Sequence, residues 1–380
     1  MQARYLAASP YNLVRVILGQ RSASDTGTDN VYTRAARHLK DWMREGILVQ
    51  DAAPALYAYF QDFELPDSGE RLTRKGFIGL GRVEDYSAGI VYRHEQTLSG
   101  PKKDRLELLR NTRAHFGQIF MLYPEAEGAV DKLLEEASQG EPAMDLLDEY
   151  QARHRLWAIT DSSRIARIQE RMAPAKLLIA DGHHRYETAL AFRNENPGIA
   201  AAEYAMMTFV NMYSPGLKVL ATHRVLRNLE GFRPGDLFNK AKSAWSVTAC
   251  DSIDAVKRAF VERKPSAVRI GVISEGGVHL LERARKNGEL DVPVLHQKVL
   301  SGLLGISEEA VREERYISYV RGIDAAAAEV RERGAQVAFL LEPTPIEDMA
   351  RIAFAGGVMP QKSTDFYPKL LSGVTIYRVQ

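Results

Sequence analysis

"LLIADGHHRYETALAFR", residues 177–193, is an apolar run that stops on Asp181, Gly182, His183, His184 and Arg185 and then turns amphipathic. Leu177 to Ala180 read as the end of a buried strand. Asp181 and Gly182 break it as a tight turn does. From Tyr186 on, the spacing suits a helix, with Ala189, Leu190 and the stem of Arg193 on an inward face. A strand-to-helix junction leaves free backbone N–H groups at the positive end of a helix dipole. Five polar or permissive residues at such a place predict a site for an anion.

The segments around it alternate between the two periodicities. Residues 12–19 predict a strand ending in Gly19, and 31–48 a helix with Ala35, Leu39, Trp42 and Met43 on one face, closed by Gly46. Residues 55–65 and 75–85 predict paired strands across a hairpin-like turn. A helix is expected from about Lys103, another over 127–142 ended by Gly140, and a strand over 155–160. The next helix takes Asp161 or Ser162 as its cap. Residues 204–226 predict two strands around Ser214, Pro215 and Gly216. From about residue 231 the texture changes. A hairpin over 267–285 turns at Gly276 and Gly277, a helix follows Pro293, and helix, strand and helix lead into a tail ending in a strand. Interleaved strands and helices predict a mixed α/β (α+β) fold. The change of texture divides the chain into an N-terminal part, 1–230, and a C-terminal part, 231–380.

The bulk numbers set the limits. The 380 residues suit one large or two to three ordinary domains. With 45% apolar and 26% charged residues, a sizeable core is within reach. A net charge of +1 provides no global attraction to nucleic acid or membrane, so any basic site must be local. The single cysteine, Cys250, forms no intramolecular disulfide and no thiolate cluster. No stretch approaches the roughly 20 apolar residues that span a bilayer. The N-terminus carries no hydrophobic core followed by a cleavage pattern. A cytoplasmic protein is the expectation.

Four stretches hold more polar functional groups than folding requires. In the first, Arg185 can fork onto phosphate oxygens, and His183 and His184 can add charge or act as acid or base. Asp181 can bind a metal, accept a proton or merely cap the helix. Two adjacent histidines at a helix start point in different directions and lack the H-E-x-x-H spacing, so no metal site is expected there. The second is "HEQTLSGPKKDR", 94–105, with Glu95 as a candidate general base and Lys102, Lys103 and Arg105 as cations, or else a solvated loop with a charged first helical turn. The third is "PQKSTDFYPK", 360–369. Its Lys362, Ser363 and Thr364 imitate the end of a phosphate loop but lack the glycine pattern that wraps a phosphate. They still offer donors to an anion. The fourth, 211–224, places Asn211, Thr222, His223 and Arg224 among apolar residues. His223 is weighed between a phosphate contact and a hydrogen-bonded structural histidine. Together the stretches describe an anion pocket with spare acid and base groups, the equipment of phosphoryl transfer. No G-x-S-x-G and no full G-x-G-x-x-G is present; "GLGRVE", 79–84, falls short.

"HEQTLSGPKKDRLELLR" (94–110), "IADGHHRYETAL" (179–190) and "MPQKSTDFYPKL" (359–370) resemble the hallmark segments of the domain of unknown function family 1015. The resemblance runs over essentially the whole chain. Family members usually carry more sequence before the "SPYN" segment, here residues 9–12, so the resemblance implies a truncated start or one at an internal Met. "ADGHHRYETAL" is also similar to the strand–DGxHR–helix element of the partition protein ParB and sulfiredoxin superfamily. That likeness implies a ParB/sulfiredoxin-like core with additional strands and helices. It implies that Gly182, His184 and Arg185 cradle nucleotide phosphates, with Asp181 or Glu95 as base. Some members of that superfamily are free-serine kinases, and members of the first family often sit beside serine-biosynthesis genes.

The resulting expectation is a phosphotransferase or phosphatase acting on a small hydroxyl metabolite, serine or phosphoserine first. Catalysis is assigned to Asp181, His183, His184 and Glu95, and phosphate binding to Gly182, Arg185, Lys102, Arg105, Lys362, Ser363, Thr364 and His223. Mg²⁺ with ATP or ADP suits the oxygen ligands. The alternative is a nucleotide-binding regulatory protein without turnover. A partition-type protein acting on nucleic acid ranks behind both, since no basic tail or helix-turn-helix pattern is present.

Overall fold

The computed structural model describes residues 2–66, 68–95 and 100–380, and for 100–102 the backbone alone. The architecture is mixed α/β, built on two large sheets. The first has eight strands in the order Val91–Tyr92, Leu177–Asp181, Ile119–Tyr123, Tyr204–Asn211, Arg71–Arg82, Leu56–Glu64, Arg153–Ile159, Met144–Leu147. The second has six, in the order Ser246–Cys250, Gly277–Ala284, Ala267–Ser274, Val337–Leu340, Thr222–Leu226, Ile317–Arg321. Thr222–Leu226 thus joins the second sheet, and Lys218–Leu220 just before it pairs with Asp365–Tyr367 of the tail.

Two interior strands of the first sheet, Ile119–Tyr123 and Tyr204–Asn211, are buried on both faces. Ile119–Tyr123 is buried at every position, as a strand covered on both sides requires. Alternation then sorts its side chains. Ile119, Met121 and Tyr123 face a core shared with Val130, Leu133 and Leu134 of helix Ala129–Ala137, Ile168 of helix Ser162–Met172, and Tyr186 and Ala189 of helix His183–Glu195. Phe120 and Leu122 face the other way, with Leu178, Ala180 and Val210, onto Met349, Ala350 and Ala353 of helix Ile346–Phe354 and onto Phe366. The C-terminal segment therefore covers one face of the first sheet, and this brings the third polar stretch to the end of Leu177–Asp181.

Several sequence expectations are met closely. Helix Ser162–Met172 is capped by Asp161, whose carboxylate accepts from Arg164 N–H at 2.7 Å. The hairpin of 267–285 turns at Glu275 and Gly276, with Gly277 at φ +98°. The helix expected over 31–48 is Val31–Arg44, started by an Asn30–Thr33 capping box.

Others are corrected. Residues 12–19 form no strand: Val14–Ile17 is a single helical turn. Asn12 Oδ1 accepts from Val14 N–H at 3.0 Å, a local bond that starts a turn, and Val16 packs on Ala35, Leu39 and Trp42. Val14 and Val16 are both buried, from different sides of the turn, and that spacing imitates the alternation of a strand. The region 204–226 holds three strands, because the polar loop after Asn211 returns through Lys218–Leu220 before Thr222–Leu226. The helix at Pro293 begins earlier, at Asp291, since proline is tolerated in a first turn, and passes into a π-helical turn, Leu295–Ser301.

Candidate functional site

Strand Leu177–Asp181 runs out of the core at Asp181, and Gly182 starts helix His183–Glu195 with φ +95°. A Cβ on Gly182 would lie 2.8 Å from Arg185 Nε. Glycine is therefore required twice, for the left-handed backbone and for the guanidinium folded over it. Arg185 Nη2 donates to Asp181 Oδ2 at 2.7 Å and Nη1 to the Gln118 carbonyl at 2.5 Å. Burial lowers the proton affinity of Arg185, partly offset by Asp181, and Arg105 adds a like charge.

Burial pushes the Asp181 carboxyl up, but the surrounding positive groups, Arg185 and Lys369 first and Lys362 with them, outweigh it and hold it below its ordinary value. Lys369 Nζ lies 3.9 Å from Asp181 Oδ1 and 3.1 Å from Asp365 Oδ1. Asp365 is held in turn by the Arg321 fork at 2.6 and 2.9 Å. Three standing cations from two distant stretches, Arg185, Lys369 and Lys362, thus act on one carboxylate.

The stretch beginning at His94 comes alongside. His94 Nδ1 lies 2.7 Å from the Ile179 carbonyl, which can only accept, so Nδ1 carries the proton. Nε2 is then an acceptor for the Thr364 hydroxyl at 2.7 Å. Burial lowers His94 to about 4, so the ring is neutral. The His183 ring meets it edge-on at 4.8 Å. Burial first, then His94, pushes His183 well below its usual range, and its buried Nε2 has no hydrogen-bond partner among the described residues. His184 is half-buried on the same first turn.

Glu95 Oε1 accepts from Ser363 N–H at 3.0 Å. Burial raises its carboxyl to about 7, against the lowering pull of the Ser363 and Thr364 N–H groups and of Lys362. A carboxyl poised near neutrality can take or give a proton at physiological pH. Lys362 is exposed, with φ +58°. The Ser363 hydroxyl donates to the Pro360 carbonyl at 2.6 Å, so it stabilises its own turn.

The structure therefore brings together Asp181, Gly182, His183, His184, Arg185, Glu95, Lys362, Ser363 and Thr364. Arg105 stands exposed on helix Gly100–Thr112, and its charge acts on Arg185. The Lys102 side chain lies outside the described residues. His223 is placed apart: it is buried in the second sheet, its Nδ1 accepts from Leu341 N–H at 3.2 Å, and burial lowers it to about 4. It is a structural histidine here. Among the described residues no three His, Cys, Asp or Glu side chains are grouped to hold a metal. A Mg²⁺ carried on a nucleotide needs only one or two carboxylates, and the half-exposed Asp181 fits that donor set. No described helix is long and apolar enough to cross a membrane.

Four contributors escaped the sequence reading. His94 and Lys369 stand inside the quoted motifs, so their signal was present. Arg321 and Arg74 gave none. Arg74 is fully buried and donates to the carbonyls of Tyr367 at 3.3 Å and Pro368 at 2.6 Å, fixing the segment that carries Lys369.

The family described as "Protein of unknown function (DUF1015)" matches residues 1–303, a span that contains the first two motifs and stops short of 360–369. No curated protein sequence matches the chain. Among solved structures, a conserved hypothetical protein from Pyrococcus furiosus is similar over 78% of this chain and 93% of its own, at 12% identity and a TM-score of 0.41. A mutant free serine kinase in complex with ADP is similar over 80% of this chain and 92% of its own, at 13% identity and a TM-score of 0.43. SbnI from Staphylococcus aureus, truncated at its C-terminus, covers 77% of this chain and 85% of its own, at 9% identity and a TM-score of 0.38.

Proposed function

The chain belongs to the DUF1015 family of proteins of unknown function, and from the geometry of its polar cluster we propose a phosphoryl-transfer enzyme acting on a small hydroxyl metabolite. The observation that carries this is the meeting of two unlike carboxyls. Glu95 is raised to about 7 by burial, while Asp181 is held below its ordinary value by a ring of cations. Two titratable groups pushed apart by their surroundings mark separate roles. Glu95 is the base that takes the hydroxyl proton as the oxygen attacks phosphorus. Asp181 stays ionised and orients Arg185. The helix N-terminus at Gly182, with Arg185, Lys362 and Lys369, offsets the charge on the transferring phosphoryl group. The P–O bond to the leaving group breaks as the new one forms, and that group departs as ADP or AMP from a nucleotide donor. Mg²⁺ bound to the nucleotide would neutralise part of its phosphate charge. Serine with the nucleotide as donor, or O-phosphoserine with water as the attacking oxygen and serine as the leaving group, is the substrate to try first, on the likeness of "ADGHHRYETAL" to the ParB/sulfiredoxin element.

A phosphorus NMR time course tests this. The protein with Mg²⁺ is followed with O-phosphoserine alone and with serine plus ATP or ADP. Signal moving to inorganic phosphate or to phosphoserine, and lost in Arg185→Ala, is the expected result. An unchanged spectrum in both mixtures rules the reading out for this substrate pair.

One observation favours a second reading, nucleotide binding without turnover. The Arg185 guanidinium is already bonded to Asp181 and to the Gln118 carbonyl. Calorimetry that finds saturable ATP or ADP binding beside an unchanged phosphorus spectrum would select it.

A further inference from the structure

Arg224 and Glu95 grip the two ends of one peptide group. Arg224 Nη2 donates to the Lys362 carbonyl at 2.9 Å, and the Ser363 N–H donates to Glu95 Oε1 at 3.0 Å. The carbonyl and N–H of a trans peptide point in opposite directions. The two side chains therefore stand on opposite sides of the Lys362–Ser363 peptide. Arg224 comes from strand Thr222–Leu226 of the six-stranded sheet, whereas Glu95 follows the edge of the eight-stranded one. The grip spans both sheets.

Arg224 is an expensive residue to keep where it is. It is 1% exposed, and among the described residues no carboxylate makes an ion pair with it. Its Nη1 donates to the Thr222 carbonyl, its Nε has no partner, and its guanidinium lies 5.4 Å from the centre of the Tyr319 ring. A buried charge with so few partners costs stability, and a methionine would fill the same space without that cost. What the charge does provide is hold on a loop that carries three of the assembled residues.

We propose that Arg224 is a positioning residue of the site: by holding the Lys362 carbonyl it keeps the Ser363 N–H on Glu95 and the Lys362 ammonium at the rim. If this peptide turned over, a carbonyl would face the Glu95 carboxylate in place of an N–H. The charged form of Glu95 would lose a donor and gain a repulsive dipole. Thr364 and Thr344 hold the same loop, through His94 Nε2 at 2.7 Å and through the Ser363 carbonyl at 2.9 Å, but neither fixes this one peptide. The groups that face Glu95 are Lys362 and the N–H groups of Ser363 and Thr364 from the loop, Asp181 from strand Leu177–Asp181, and Arg224 and Tyr319 from the second sheet. His296, on the π-helical turn, faces Arg224 and is kept neutral by burial.

The proposal rests on Glu95 as the proton-handling group, but it can be read without turnover. The measurement is a carbon-13 titration of the glutamate side-chain carboxyls in the full chain, with the Glu95 signal assigned by its loss in Glu95→Gln. In Arg224→Met the Glu95 midpoint is expected to rise by about one unit, through loss of the N–H bond and of the nearby charge. In Arg224→Lys the rise is smaller, about half a unit, because the charge stays while one nitrogen must serve both carbonyls. An unmoved midpoint in a folded Arg224→Met overturns the proposal. Where that variant fails to fold, an unmoved midpoint in Arg224→Lys does so. A shifted midpoint in a protein that transfers no phosphate keeps the clamp and removes the enzymatic reading. Lost turnover with an unmoved midpoint removes the clamp and keeps the enzyme.

Discussion

Arg185 Nη2 stands 2.7 Å from Asp181 Oδ2, one helical turn apart, with Gly182 beneath the guanidinium. The pair sets the charge of the site as well as its shape, because Arg185 is the strongest of the cations that hold Asp181 ionised. An incoming phosphate would share this guanidinium with Asp181 and the Gln118 carbonyl.

Arg185→Ala is therefore expected to lower phosphoryl transfer by on the order of a hundredfold or more, as loss of a transition-state charge contact does. It also raises the Asp181 midpoint, since burial then acts with one opposing charge fewer. Arg185→Lys recovers little, because one ammonium cannot fork onto two acceptors. Steady-state rates on the folded variants check this. Near wild-type turnover in Arg185→Ala would remove Arg185 from the mechanism.

Gly182→Ala places a side chain at φ +95° and a Cβ within 2.8 Å of Arg185 Nε. The backbone strain costs about 1–2 kcal/mol. Arg185 must also move away from Asp181. Urea denaturation is expected to report a loss of that size together with the activity loss of Arg185→Ala. A variant as stable and as active as the parent would mean that neither the turn nor the guanidinium position matters.

Thr364→Val removes the hydroxyl that serves His94 Nε2 and leaves a buried acceptor without a partner. The cost expected is about 1–3 kcal/mol, the penalty for an unsatisfied buried polar group. Because His94 is neutral, the cost should persist unchanged from pH 6 to pH 8. A loss that varies strongly over that range would mean the ring is charged.

Local chemistry was the legible part of this chain. The Asp181–Gly182 break after four apolar residues located the strand-to-helix junction, because turn residues act through their own backbone. The mixed α/β class followed from the alternation of periods. What lay hidden was set by distant partners. Nothing around Arg74, Arg224 or Arg321 announces that each will hold a segment more than 40 residues away. Residues 12–19 misled for a related reason: Val14 and Val16 alternate as in a strand, and it is the Asn12 bond and the packing of Val16 on Trp42 that make a turn of them. His223 and Arg224 are neighbours of similar polarity on one strand. Alternation sends one to the Leu341 backbone and the other to the Lys362 carbonyl, which no reading of residue type can distinguish.

Glu95 gives the sharpest test by pH. Its carboxyl is raised in the folded protein to about 7 from an ordinary 4.5. Between those values the native chain holds a proton that the unfolded chain has lost. Stability then falls as pH rises through this window, by the linkage relation. The histidines His94, His115 and His223 act in the opposite sense: each is lowered from 6.5 to about 4, so the unfolded chain takes up the proton first. Their contribution is present above pH 6.5 and lost as pH falls towards 4. The two effects overlap, so the wild-type curve alone does not separate them. Glu95→Gln does, because the amide keeps an acceptor for Ser363 N–H and has no charge to bury. Relative to wild type it is expected to gain roughly 1–3 kcal/mol on going from pH 5 to pH 8. Its turnover should fall about a hundredfold or more, as loss of a general base does. In the wild-type protein kcat/KM should rise with pH through a midpoint near 7, where Glu95 loses its proton. A midpoint near the ordinary carboxylate range, with no relative stability gain in Glu95→Gln, would show Glu95 to be solvated and would take the base out of the proposed reaction.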